Sequence, residues 1–199
     1  MAQKTDLCAS MIVFRVPDDQ DGIKYYGFGK YYLPEQTIED DTTNRNMYQA
    51  WAKSGRLIVT SGAIIDKELI IRDLLDDIET YNPIEFVYDP FNASDIAKRI
   101  ADETHCNTVE FTQSLVNMAA ATDEFVALLR DDSFRHQNDR VLVWCASNCV
   151  GKTGKKGLMV PVKQRRAEKI DAAIAAIMAT ARAVGTSEHY GGSGEVLSV

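Results

Sequence analysis

The stretch from Asp66 to Pro90, DKELIIRDLLDDIETYNPIEFVYDP, decides the fold class. Leu69, Ile70, Leu74, Leu75 and Ile78 recur at helical spacing, and Asp66 and Glu68 sit in the first turn, where a helix N-terminus favours negative charge. The pattern predicts an amphipathic helix over 66–81 that ends before Pro83. Ile84 to Tyr88 is then a short apolar strand, halted by Asp89-Pro90. A helix delivering the chain directly into a buried strand is the repeating unit of an α/β sandwich.

The alternation continues on the C-terminal side. A helix is expected from about Ser94 to Glu103, a strand from Thr108 to Phe111 and a helix from Leu115 to Leu129. Asp139 to Ser147 has no decisive period, and Leu158 to Lys163 reads as a strand or extended arm. Arg166 to Val184 is expected to be the last helix, with Ile170, Ala173, Ile174, Ile177, Met178 and Ala181 as its buried stripe.

On the N-terminal side, Cys8 to Val16 and the Tyr-rich Ile23 to Leu33 flank the turn cluster Pro17 to Gly22, which reads as a β-hairpin. A polar stretch from Pro34 to Arg45, a short helix from Met47 to Lys53 and a short strand from Leu57 to Thr60 follow. Strands separated by helices imply parallel pairing, and the hairpin adds antiparallel strands. The expected fold is α/β: a mixed sheet flanked by helices, one domain over 1–184 with a Gly/Ser-rich tail over 185–199.

With 199 residues, 45% of them hydrophobic and 26% charged, the chain has globular composition. No apolar run approaches the roughly 20 residues of a membrane span, and Met1 to Asp6 lacks a secretory pattern, so a cytoplasmic location is expected. Cys8, Cys106, Cys145 and Cys149 lack the paired spacing of a zinc site and read as reduced, partly buried thiols. His105, His136 and His189 show no ligand spacing either, and His136 reads as a loop histidine bonded to backbone.

The net charge of −7 argues against nucleic-acid binding over the whole surface. Seven of the 22 basic residues nevertheless fall between Gly151 and Ile170: Lys152, Lys155, Lys156, Lys163, Arg165, Arg166 and Lys169, opposed only by Glu168. That cluster is a candidate phosphate-binding patch on an acidic body. Ala146 to Thr153 resembles a relaxed P-loop, but Gly154 to Gly157 and Pro161 follow where a helix should open, so ATP binding is set aside and a basic loop is expected.

Two carboxylates stand out. Asp89 ends an apolar strand, at the side of a sheet where functional groups gather, although from position alone an Asp-Pro turn or a cap on nearby backbone donors is the simpler explanation. Asp171 lies at the edge of the last helix's buried stripe, where a carboxylate needs a partner or a metal, or is simply favoured by the helix dipole. A strand-end acid and a helix acid together could hold two hard divalent ions, Mg²⁺ or Mn²⁺, the arrangement that phosphodiester hydrolysis uses.

Several segments, in order, resemble the nuclease domain of tailed-phage large terminases. Thr5 to Ala9 followed by Ile12-Val13-Phe14 is similar to that family's Asp-Leu-Thr-Ala strand start, and Val87 to Ala93 to its second acidic motif. Val59 to Gly62 through Ile65-Asp66 fits a Thr-Pro-Gly turn with Ser61 in place of Pro. Arg135-His136, Val141 to Asn148 and Lys169 to Ala179 are similar to its closing block.

The resemblance implies a ribonuclease H-like fold, two Mg²⁺ or Mn²⁺ ions held by three acids, and cutting of concatemeric double-stranded DNA during genome packaging in a bacterial cytoplasm. The implied partners are an ATPase domain, a small terminase subunit and a portal. Asp89 matches the second acid and Asp171 the third, with Asp6 as an accessory acid. The strand that carries the family's first acid is expected to be lacking. A silent prophage remnant, or a split-gene half completed by an upstream fragment, is the alternative, and a small nucleotide-binding protein is a third reading.

Overall fold

The computed structural model describes residues 6–18, 22–154, 157–165 and 167–185, and the backbone of 195–198. Strands β1 (Cys8–Asp18) and β2 (Gly22–Pro34) form the expected hairpin, with Cys8 opposite Tyr32 and Asp18 opposite Gly22. Gly22 has φ +87°, a conformation that suits a residue without Cβ. Then come α1 (Glu35–Asp40), α2 (Arg45–Lys53), β3 (Ile58–Thr60), α3 (Lys67–Tyr81), β4 (Glu85–Tyr88), α4 (Pro90–Glu103), β5 (Asn107–Glu110) and α5 (Leu115–Arg130). The chain continues through β6 (Phe134–His136), α6 (Arg140–Ser147), β7 (Cys149–Thr153), β8 (Met159–Lys163), α7 (Asp171–Gly185) and β9 (Glu195–Ser198).

The main sheet has the order β3-β2-β1-β9-β4-β5, with β6 also on β2. β1 runs antiparallel to both β2 and β9, whereas β3 and β6 lie parallel to β2, and β4 lies parallel to β5 and β9. It is the mixed sheet expected. Directions alone therefore bring the start of β1 and the end of β4 to one edge.

Two differences from the sequence reading are local. The segment from Ala146 to Thr153, expected as a basic loop, closes α6 and enters β7, which pairs with β8 as a separate hairpin. The last helix begins at Asp171, not Arg166: the residues before it form a non-helical lead-in, in which the Asn148 side-chain amide donates to the Lys169 carbonyl at 2.9 Å. Of the expected tail, Gly185 closes α7, 186–194 lie outside the described residues, and 195–198 pair with β1.

Both faces of the sheet are covered. One core gathers Met11, Val13, Tyr31 and Leu33 with Trp51, Phe125, Val141 and the small residues of α7; the other gathers Tyr32 and Phe86 with Ile70, Leu74 and Ile78 of α3 and Ile96 and Ile100 of α4. Strand alternation sends neighbours to opposite layers. Tyr31 and Tyr32 are both buried, and each finds an acid in its own layer: Tyr31 Oη donates to Asp139 Oδ2 at 2.6 Å, and Tyr32 Oη to Asp73 Oδ2 at 3.1 Å.

The Tyr31 ring lies back over Gly29, where a Cβ would come within 1.9 Å of its hydroxyl. Glycine is what leaves room for the bond to Asp139. The far end of α7 is tied to the sheet by Arg182, whose Nε and Nη2 donate to the two Glu85 carboxylate oxygens at 2.6 and 2.9 Å. Glu85 is only 4% exposed and Arg182 35%, so this bidentate pair fixes how α7 crosses the start of β4.

Gly29→Ala is expected to break the Tyr31–Asp139 bond and overpack the site, at a cost of about 2–4 kcal/mol, read as a fall of about 4–12 °C in melting temperature. Arg182→Ala strands the buried Glu85 charge. Partial exposure of Arg182 keeps the expected loss near 2–3 kcal/mol, below the range for fully buried pairs, and urea denaturation of the two proteins measures it.

Candidate active site at the acidic edge of the sheet

Asp6 lies two residues before β1, and its Oδ1 accepts a hydrogen bond from the Leu7 amide at 2.9 Å. Lys163, at the end of β8, reaches its Oδ2 at 3.1 Å, and Lys169, in the lead-in to α7, pairs with Oδ1. Burial alone would raise the Asp6 pKa. The hydrogen bonds and charges of Lys169 and Lys163 outweigh it and hold the carboxyl below its ordinary value.

Asp171, the first residue of α7, shares this cluster but has the opposite electrostatics. Its pKa is raised to about 6, first by burial and then by the Asp6 charge, against smaller opposing effects of Lys163 and Lys169. Its Oδ2 is buried with no hydrogen-bond partner among the described residues. The thiols of Cys8, Cys145 and Cys149 stand around it: burial pushes them up to about 11, 12 and 11, and the Asp171 charge adds to each shift. Neutral thiols make a weakly polar wall that stabilises Asp171 poorly as an anion.

Asp89 ends β4 and is the N-cap of α4, with Pro90 at the first helical position. Its Oδ1 accepts from the Phe91 amide at 3.2 Å and its Oδ2 from the Asn92 side chain at 2.8 Å. It occupies the same sheet edge as Asp6. Asp6, Asp171, Lys163 and Lys169 are thus brought together, with Asp89 on the same edge but bonded within its own helix start. No group of three His, Cys, Asp or Glu side chains poised to hold an ion occurs among the described residues.

The basic cluster divides. Lys163 and Lys169 turn inward onto Asp6, while Lys152 and Arg165 are exposed. Lys155, Lys156 and Arg166 lie outside the described residues. His136 stands in β6, and its Nδ1 accepts from the Asp139 amide at 3.0 Å, the backbone bond its setting suggested. Sequence reading missed Asp41: burial would raise its pKa, but the hydrogen bonds of the Asn44 side chain and of the Asn44 and Thr43 amides, with the Lys169 charge, hold it below its ordinary value. It missed as well that three scattered cysteines meet at one carboxylate.

A family model described as "Terminase large subunit, endonuclease domain" matches residues 1–187. The chain belongs to this family. It is 30% identical to Protein YmfN of Escherichia coli strain K12, over 92% of this chain and 42% of YmfN. It is 27% identical to the terminase large subunit of Enterobacteria phage HK97, over 96% of this chain and 38% of that protein. The crystal structure of the HK97 bacteriophage large terminase matches with a TM-score of 0.73 and 25% identity, covering 89% of this chain and 39% of that one.

The terminase endonuclease-domain chain therefore spans about two fifths of its relatives' length. Its mixed sheet flanked by helices is the expected ribonuclease H-like fold, matched to a phage large terminase. No described helix is long and apolar enough to cross a membrane.

For this terminase nuclease domain the Asp171 environment has a measurable sign. Its folded-state carboxyl is raised from 3.8 to about 6, so the folded protein binds that proton more tightly than the unfolded chain. Stability is lost as pH rises through that window and stays lost above it. Asp171→Asn, in EDTA, should match the parent protein near pH 4 and be more stable at pH 8 by on the order of 1–3 kcal/mol; a constant difference across this range would contradict the burial.

Proposed function

We propose that this domain is a metal-dependent endonuclease acting on double-stranded DNA, with Asp89 and Asp171 as ligands of Mg²⁺ or Mn²⁺ and Asp6 as an accessory acid. The observation that carries the reading is the buried, unpartnered Oδ2 of Asp171 beside Asp6, on the sheet edge where β4 delivers Asp89. Carboxylate oxygens suit hard divalent cations, and an orphaned buried acceptor is a position that a cation would satisfy. When bound, a pair of such ions supplies an activated water and neutralises the leaving oxygen.

The chain's own residues prepare that chemistry. Lys163 and Lys169 keep Asp6 ionised at the edge, and the Asp171 wall of neutral thiols makes its carboxylate a strong competitor for any cation that arrives. The exposed Lys152 and Arg165, with Lys155, Lys156 and Arg166 in the same stretch of sequence, would hold DNA phosphates. In the whole protein the reading extends to cleavage of concatemeric viral DNA in the bacterial cytoplasm, alongside an ATPase domain, a small terminase subunit and a portal.

A second reading is a catalytically silent domain, such as a prophage remnant or a split-gene half. What favours it is that Asp6 is saturated by two lysines and that no three-acid group is assembled among the described residues. Nicking of supercoiled plasmid with Mn²⁺ separates the two. Asp89→Asn and Asp171→Asn should each lower the nicking rate by about 100-fold or more at unchanged circular dichroism; full activity in both variants refutes the ligand assignment, and an inert parent protein selects the silent reading.

A further inference from the structure

Away from the acidic edge, three directly opposed pairs of the β1–β2 hairpin line one cleft: Ser10 with Lys30, Ile12 with Phe28, and Phe14 with Tyr26. α3 reaches this face with Asp77 and Tyr81, one turn apart, and ends there. Hairpin and helix end enclose about 510 Å³, a volume usual for a small-molecule site. Val16, Tyr26, Phe28 and Tyr81 stay 36–43% exposed along it, a contiguous apolar patch that the fold leaves open.

The cleft changes character along its length. At one end Phe14 meets Phe28 and Tyr81 edge to face, with centroids 5.6 and 5.5 Å apart and planes nearly perpendicular, so aromatic rings form the wall. At the other end Lys30 Nζ pairs with Asp77 Oδ2 at 2.7 Å. Ser10 and Asp77 are each only 8% exposed, yet the Ser10 hydroxyl and the second Asp77 oxygen have no hydrogen-bond partner among the described residues. Unpartnered polar atoms at the floor of an aromatic cleft are the groups that orient a ligand.

We propose that this cleft binds the base of a free nucleoside: a flat heteroaromatic ring against Phe14, Phe28 and Tyr81, whose edge offers a donor to Asp77 and an acceptor to Ser10 and Lys30. An acyl chain or a plain hydrocarbon ring would fill the walls but cover the polar floor without satisfying it. A sugar or a phosphate alone would leave the aromatic walls unused. A nucleic-acid strand carries the same base chemistry, but it also needs phosphate contacts. Lys30 is the only cation lining the cleft among the described residues, and it already faces a carboxylate. The exposed Lys152 belongs to the β7–β8 hairpin, which packs on α5 in the opposite layer. The inference does not rest on the nuclease reading.

Amide chemical shifts of the isotope-labelled full chain, in EDTA, test it by separate titrations with guanosine, adenosine, cytidine and uridine, with benzene, and with a short oligonucleotide. Saturable shifts at Ser10, Phe28, Lys30 and Tyr81 are expected with at least one nucleoside, at a Kd of about 1 mM or tighter. Phe28→Ala should weaken that binding about tenfold or more, and Phe28→Tyr should restore it; Ser10→Ala should weaken it severalfold, with amides outside the cleft unmoved in each variant. Benzene moving these amides while every nucleoside leaves them in place overturns the base assignment, as does no response to any ligand or equal affinity in all variants. Shifts with the oligonucleotide but with no nucleoside overturn the free source and give the cleft to a strand. Neither metal nor cleavage enters the measurement, so an inactive protein leaves the result standing.

Discussion

Everything at the acidic edge depends on alignment across one seam of the sheet. Asp6 belongs to an antiparallel hairpin formed early in the chain, Asp89 to a helix-linked parallel pair, and nothing in either local structure fixes their separation. α7 does that from above. It rests small residues on β1, carries Asp171 at one end next to Asp6, and is clamped at the other by Arg182 on Glu85, the first residue of β4. A helix rich in alanine can approach a sheet closely, and Ala172, Ala176, Ala179 and Ala183 are fully buried. The ion pair at the remote end therefore helps decide geometry at the acidic one.

Within that geometry two carboxyls in the same cluster are driven in opposite directions. Asp6 faces two ammonium groups and is held anionic; Asp171 faces thiols and another carboxylate and resists ionisation. The difference arises from which atoms lie closest, because both groups are substantially removed from water. Paired acids with divergent proton affinities are a feature of sites that handle charge, and structural ion pairs such as those of Lys163 and Lys169 with Asp6 produce them too.

Much of the architecture was legible because local signals agreed. The 66–90 stretch became α3 and β4, since its helical stripe, acidic start and Pro83 stop all point one way, with Asp66 capping the helix it was expected to begin. Short elements were less visible: β6 is three residues long and β7 contains two residues, Gly151 and Lys152, with little strand preference, so only pairing with β2 and β8 creates them. At the site, Asp89 and Asp171 were individually visible as a strand-end and a helix-edge acid, and Asp6 only through the family resemblance. Their partners were not, because the lysines on Asp6 and the Cys8 thiol beside Asp171 are brought in by contacts across more than a hundred residues, and Cys145 and Cys149 come from a separate helix and strand, so neither leaves a periodic trace.

The adjacent phenols of Tyr31 and Tyr32 act as a pair of keys cut for different locks. Asp139 caps α6 on one side of the sheet and Asp73 lies in α3 on the other. Were β2 to rotate by a single residue, each hydroxyl would enter the wrong layer and neither would find its acid. A misaligned hairpin thus loses two buried bonds together, so neighbouring side chains of one strand select its register against both layers at once.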